Sequence, residues 1–222
     1  MKGLESGVRN PEPGGTLVCF ALEEEAAPFR KISTGRNNVS ILITGIGRKN
    51  AEHTVRKFLA TNTPDCVVTC GFAGGLNPVL KNGAVVFSSD VQILSEHLRA
   101  AKAHPAKMFC ATRIAITVAE KEKLRTSTGA DVVEMESEAI QSICRERGIP
   151  CATLRAISDT ANEDLPLDFN QLSKPDMNLD YGKLAWAIAK SPMKIPDLLR
   201  LQKHCRFAAE NLAEVLPKII FR

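Results

Sequence analysis

Aromatic residues are scarce in this chain: of 222 residues, nine are Phe, one is Tyr and one is Trp. Charge of one sign is scarce too, with a net of only +4 from 29 basic and 25 acidic residues scattered along the sequence. A nucleic-acid binder of this size presents a basic stripe with interleaved aromatics, so nucleic acid is not expected as a partner. No apolar run reaches the roughly 18 residues of a membrane-spanning helix, so no integral membrane segment is expected. The seven cysteines, Cys19, Cys66, Cys70, Cys110, Cys144, Cys151 and Cys205, form no CxxC pair and lie mostly in apolar runs. Small buried thiols in a reducing compartment look like this, and the expected location is the cytoplasm. His53, His97, His104 and His204 have neither HxxxH nor HxH spacing, which gives a zinc site no support. GxSxG is absent, which argues against the nucleophile elbow of a serine hydrolase. Neither a metal nor an organic cofactor is expected.

What is present is an ordinary globular composition, 44% hydrophobic and 24% charged. A chain of this length buries enough surface to fold without disulfide or metal staples. Met1 to Gly15 is polar and rich in Gly and Pro. It lacks a signal peptide's apolar centre and reads as a disordered leader before a single domain over 16–222. Within that domain, short β-rich runs alternate with helical patterns, which indicates an α/β fold. LVCFAL (17–22), VSILIT (39–44), CVVTC (66–70), 84–87 and CATLRAIS (151–158) read as buried strands. Val91 to Leu94 and Arg113 to Val118 are weaker strand candidates, and Ser95 to Lys107 has no clear period. Helical spacing recurs at Ala51, Val55, Phe58 and Leu59, and again at Ala139, Ile140, Ile143 and Cys144. Leu201, Cys205, Ala208, Leu212, Val215 and Ile219 form a C-terminal helical stripe. That stripe reads as core packing, or else as a subunit contact or a dock for an apolar substrate tail.

Ligands of open α/β sheets bind beyond the carboxyl ends of the strands. Glu23 to Glu25, Gly45 to Arg48, Gly71 to Leu76 and Ser158-Asp159 stand there, and Glu134 and Glu136 precede the last strand. TGIGRKN fails as a dinucleotide fingerprint because Asn50 replaces the third glycine. It is either an ordinary strand-to-helix turn or an anion site in which the Gly47 backbone and Arg48 receive phosphate. CGFAGGL reads as a glycine-rich turn whose backbone, at Phe72, Ala73 and Gly74, either approaches a ligand or simply bends. The three glutamates suit a solvated first helical turn, but Glu25, if it points back over the sheet, is a candidate general base. In EMES, one of Glu134 and Glu136 supports while the other reaches a ligand such as a ribose diol. Asp159 is either an N-cap or a general acid for a leaving group.

ALEEEAAPF, TGIGRKNA, CGFAGGLNPVLKNGAVV, VVEMESEAI and RAISDTANEDLPLDF occur in this order over roughly residues 17–169. This set resembles the purine nucleoside phosphorylase superfamily, on its methylthioadenosine/S-adenosylhomocysteine nucleosidase side. The resemblance implies a three-layer α/β/α fold with a central mixed sheet, cleavage of a ribosyl N-glycosidic bond, and a homodimer. It implies that Glu25 activates water, that Glu136 binds the ribose hydroxyls with Met135 against the sugar, and that Asp159, placed by Ser158, protonates the purine at N7. The small-molecule partner is then a purine nucleoside or an adenosyl conjugate, with phosphate as the alternative acceptor to water. The chain departs from the pattern at Phe72 in GFAGG, at Phe20, and in a shortened stretch from Asp90 to Ile114. That shortening and the Pro196–Leu199 tail also resemble a branch associated with hopanoid lipid synthesis, whose members act on adenosylated hopanoids. A non-catalytic nucleoside-binding or interaction module on the same fold is the alternative.

Overall fold

The computed structural model of the protein describes residues 15–174, 177 and 180–220. The expected leader therefore lies, apart from Gly15, outside the described residues. In chain order the elements are β1 (Thr16–Phe20), α1 (Glu23–Ser33), β2 (Val39–Ile43), α2 (Arg48–Leu59), β3 (Cys66–Gly75) and β4 (Val85–Ser89). Next come α3 (Gln92–Ala100), β5 (His104–Pro105), β6 (Met108–Cys110), α4 (Val118–Thr128), β7 (Val132–Glu134), α5 (Ser137–Glu146) and β8 (Cys151–Asp159). Four helices close the chain: α6 (Phe169–Leu172), α7 (Tyr181–Lys190), α8 (Ile195–Val215) and α9 (Pro217–Ile220).

The strands form one mixed sheet in the order β2-β1-β3-β8-β4-β5, with β7 joined to the end of β3 and β6 beside β7. β2, β1, β3 and β8 run parallel, whereas β4 is antiparallel to β8 and β7 is antiparallel to β3. Because the sheet is covered on both faces, its strands are continuously apolar instead of alternating. In β1, Leu17 and Cys19 pack with Ala51, Val55, Ile140 and Ile143 of α2 and α5. Val18 and Phe20 point the other way, into a cluster with Ala26 and Phe29 of α1 and Ala208 and Leu212 of α8. Three layers result, as expected. Ala208, Leu212 and Val215 of the C-terminal stripe are buried, so its central part is core.

The structure corrects three local expectations. GFAGG is strand, not turn: β3 continues to Gly75, paired with β8 as far as Asp159 and with β7. Val91 to Leu94 is not a strand, because Gln92 starts α3, and Leu94 and Leu98 share the face that packs on the core. A four-residue segment such as VQIL is too short to carry a period able to separate the two. Arg113 to Val118 is not a strand either. The Asn170 side chain takes the place of a neighbouring strand there, accepting from Ile114 N and donating to Ile114 O, both at 2.9 Å.

Candidate active site

The carboxyl ends of β2, β1, β3 and β8 share one edge of the sheet, and this edge gathers the acidic residues. Glu25 lies in the first turn of α1 and bends back over the sheet. Its Oε2 accepts from Ala21 N and Leu22 N, both at 2.9 Å, as a glutamate at the third helical position does when it caps its own helix. Its Oε1 accepts from Phe72 N at 2.8 Å. Gly71 makes this approach possible, since a Cβ there would stand 2.7 Å from Oε1. Burial pushes the Glu25 carboxyl up to about 7 against the pull of the Phe72 N–H, and the charge of Glu136 adds to the rise.

Glu136, at the N-cap of α5, accepts from Gly47 N at 2.7 Å. Gly47 has φ +88°, a left-handed conformation that glycine adopts without strain. Glu134 supports this pair from below. Its Oε2 accepts from Glu136 N (3.1 Å) and Ser137 N (2.8 Å), and its Oε1 from Ser137 Oγ (2.7 Å). Met135, between the two glutamates, is buried. Beneath them lies Arg155 of β8, 1% exposed, its Nη2 2.6 Å from Glu134 Oε2 and 3.8 Å from Glu136 Oε2. Burial alone would raise Glu134, but Arg155 and the Ser137 hydrogen bonds outweigh it and hold the group below its usual range. Glu136 moves the opposite way, raised chiefly by burial and by Glu134 despite Arg155. One buried cation faces three acidic side chains, and of these only Glu134, which it contacts most closely, is held below its usual range.

Asp159 ends β8. The register with β3 slips between Ala73 and Gly74, so that Asp159 faces Gly74 while Ile157 faces Ala73. Such a bulge re-aims a side chain at the edge of a sheet. Ser158 Oγ donates to Asp159 Oδ1 at 2.7 Å and lies 3.4 Å from Ala73 O. A Cβ on Gly74 would come within 3.2 Å of both Asp159 Oδ2 and Val133 Cγ1, a close fit that a larger residue would tighten. Glu25 thus sits against Gly71-Phe72 and Asp159 against Gly74 of the same strand. At the strand rise the backbone positions they contact are roughly 10 Å apart. Cys205 of α8 lies within electrostatic reach of both, its thiol pushed up to about 12 by burial and then by Asp159 and Glu25. A cavity of about 240 Å³ opens beside Asp159, lined among others by Glu163, Leu165, Arg200 and His204.

The structure therefore brings together Glu25, Glu136, Met135, Ser158, Asp159 and the Phe72-Ala73-Gly74 backbone. It treats the expected anion site differently. Gly47 N–H is engaged by Glu136, and Arg48 pairs with Glu138 at 2.5 Å on the half-exposed start of α2. Two further charged residues have no place in the motif reading. Arg155 had a signal, an arginine inside an otherwise apolar strand, which burial makes costly unless counter-charges surround it. Lys121 of α4, 0% exposed and 2.6 Å from Asp159 Oδ2, had none, since VAEKEKLR looks like a solvated helix face.

The sequence profile of the phosphorylase superfamily matches residues 22–112 and 92–178. The chain belongs to this superfamily. A 5′-methylthioadenosine/S-adenosylhomocysteine nucleosidase of Anoxybacillus flavithermus is 27% identical over 206 residues, 69% of this chain and 89% of the relative. One from Shewanella halifaxensis is 26% identical over 169 residues, 60% of this chain and 74% of the relative. Among solved structures, the futalosine hydrolase of Helicobacter pylori superposes with a TM-score of 0.71 at 16% identity, covering 94% of this chain and 97% of that one. The Neisseria meningitidis nucleosidase in complex with methylthio-immucillin-A gives 0.69 at 21% identity, over 93% and 98%. These likenesses show the nucleoside phosphorylase-like α/β fold. Among the described residues no helix is long and apolar enough to cross a membrane.

Proposed function

We propose that the protein is an N-ribosyl hydrolase that splits a purine nucleoside or an adenosyl conjugate into free base and a ribose product. The observation that carries this reading is the convergence of Glu25, Glu136 and Asp159, from three distant stretches of chain, on one edge of the sheet. Cleavage passes through an oxocarbenium-like sugar, which needs a protonated leaving base on one side and an oxygen nucleophile on the other. As the C1′–N9 bond breaks, its electron pair moves onto the purine, and Asp159, an ion-paired carboxylate in the free protein, takes a proton from solvent and passes it to N7. Water then adds to C1′ while Glu25 takes one of its protons. A carboxyl group raised to about 7 is well matched to that task near neutral pH. Glu136 accepts from the ribose hydroxyls, and Met135 packs against the sugar.

Water is favoured over phosphate as acceptor because Gly47 N–H is engaged by Glu136 and Arg48 pairs with Glu138. The names of the nucleosidase relatives support the adenosyl class. A homodimer and a cytoplasmic location complete the proposal on the strength of family resemblance. The deciding experiment incubates the protein with 5′-methylthioadenosine, S-adenosylhomocysteine, adenosine and a lipid-linked adenosyl conjugate, each with and without phosphate, and measures free adenine. Adenine release independent of phosphate is expected. Binding of these compounds without release of base from any of them would leave only the non-catalytic module.

A further inference from the structure

Lys121 is a fully buried cation with every donor engaged. Its Nζ lies 2.6 Å from Asp159 Oδ2 and donates to Thr160 O at 2.7 Å and to Glu163 O at 2.8 Å. An ammonium has three N–H bonds, and all three point at the end of β8 and the turn that follows it. The helix carrying it is anchored to the same segment. Val118 N donates to Asp164 Oδ1 at 2.7 Å, and Leu165 N donates to Ile116 O at 2.8 Å. Glu163 closes the turn by accepting from Thr160 N and Thr160 Oγ1 at 3.0 and 2.8 Å. With Ser158 Oγ on Oδ1 and Lys121 on Oδ2, neither oxygen of Asp159 is left to rotate freely.

A buried lysine placed only for stability is an expensive choice, because an apolar side chain of similar volume would fill the space without desolvating a charge. Its position against Asp159, the carboxylate at the end of β8 that also lines the cavity there, accounts for that choice. We infer that Lys121 is the positioning residue of the leaving-group acid: it fixes the direction of the Asp159 carboxylate and the turn behind it, so that the group already faces the departing base when it takes a proton from solvent. This inference rests on the proposed role of Asp159, and holding a catalytic group in a productive geometry is a large part of what a site contributes to rate.

The test compares 5′-methylthioadenosine with 4-nitrophenyl β-D-ribofuranoside, whose phenolate leaves without needing a proton. Lys121→Gln keeps an amide N–H2 for the two carbonyls and removes the cation, while Lys121→Met removes both. For each, kcat on the adenosyl substrate is expected to fall about 10-fold or more with KM within about 3-fold, since the lost interaction acts in the transition state. The nitrophenyl riboside should lose less than about 3-fold, and Lys121→Gln placed on Asp159→Asn should lose nothing further, because groups acting as one unit are not additive. Equal loss on both substrates, no loss on either, or additive loss in the double variant overturns the inference. If Lys121→Met does not fold, Lys121→Gln gives the same readings, and if the riboside is not turned over, the kcat against KM split and the double variant decide. A fully active Asp159→Asn, or a wild-type enzyme inactive on every nucleoside, removes the proposed function instead, which separates the two failures.

Discussion

Replacing Glu25 by Gln removes the one group whose protonation state changes between folding and unfolding near neutral pH by the widest margin resolved for a carboxyl here. In the folded protein Glu25 holds its proton up to about 7, against the ordinary 4.5 of the unfolded chain. Between those values the native state binds more protons than the unfolded state, so stability falls as pH rises through the window. The gap of about 2.5 pH units, at roughly 1.4 kcal/mol per unit, corresponds to about 3 kcal/mol. Below 4.5 the group is protonated in both states and contributes no slope. Above about 7 the penalty for ionising it in the core is fully present.

Gln at 25 cannot accept all three backbone N–H bonds as the carboxylate does. That introduces a constant difference in stability but no dependence on pH. The quantity to measure is therefore the difference in unfolding free energy between the two proteins by urea titration at several pH values from 4 to 9. It should shift by about 3 kcal/mol in favour of the variant on going from pH 4.5 to 8. Glu136, also raised by burial, remains in both proteins and largely cancels. Parallel stability curves would refute the claim that the Glu25 proton is held by burial, and with it the argument that the site stores a base poised near neutrality. Turnover of the variant should drop by about 10²-fold or more, as for the loss of a general base.

Asp159→Asn should lower adenine release by about 10²-fold or more, measured with 5′-methylthioadenosine. Glu24→Gln, on the exposed side of the same helical turn, should change it little, and comparable losses from both would contradict the assigned roles. Arg155→Met leaves Glu134 buried without its cation, and about 3–5 kcal/mol of stability should be lost by chemical denaturation at pH 7. Gly71→Ala drives a methyl group to 2.7 Å from Glu25 Oε1, so activity should collapse in a protein that still shows native circular dichroism. Leu212→Ala, deep under the sheet, should cost about 2–5 kcal/mol with kcat unchanged in the folded fraction.

Much of the fold was written in local pattern. Strands buried on both faces must be apolar throughout, so LVCFAL, VSILIT, CVVTC and CATLRAIS were legible without any partner in view. The helices of the second half were readable where one face is apolar, as in α5 and α8. α4 was not, because Lys121 is buried as an ion pair and leaves no apolar stripe to see. Its start did carry a signal, the Thr117-x-x-Glu120 capping box, in which Glu120 N donates to Thr117 Oγ1 and Thr117 N to Glu120 Oε2, both at 3.2 Å.

The candidate acids could be named from their positions after strands, since the carboxyl ends of parallel strands lie together wherever the chain returns to the same sheet. Which oxygen meets which donor could not be read that way. The bulge opposite Gly74 turns Asp159, the strand at Gly71 and Phe72 receives Glu25, and Arg155 divides its charge unequally between Glu134 and Glu136. Each depends on residues some 20 to 90 positions apart in the chain being packed to within a hydrogen bond. Composition and periodicity report which side chains leave water. Only the packed sheet decides which buried charges face one another, because electrostatic interaction depends on distance in space and not on separation along the chain.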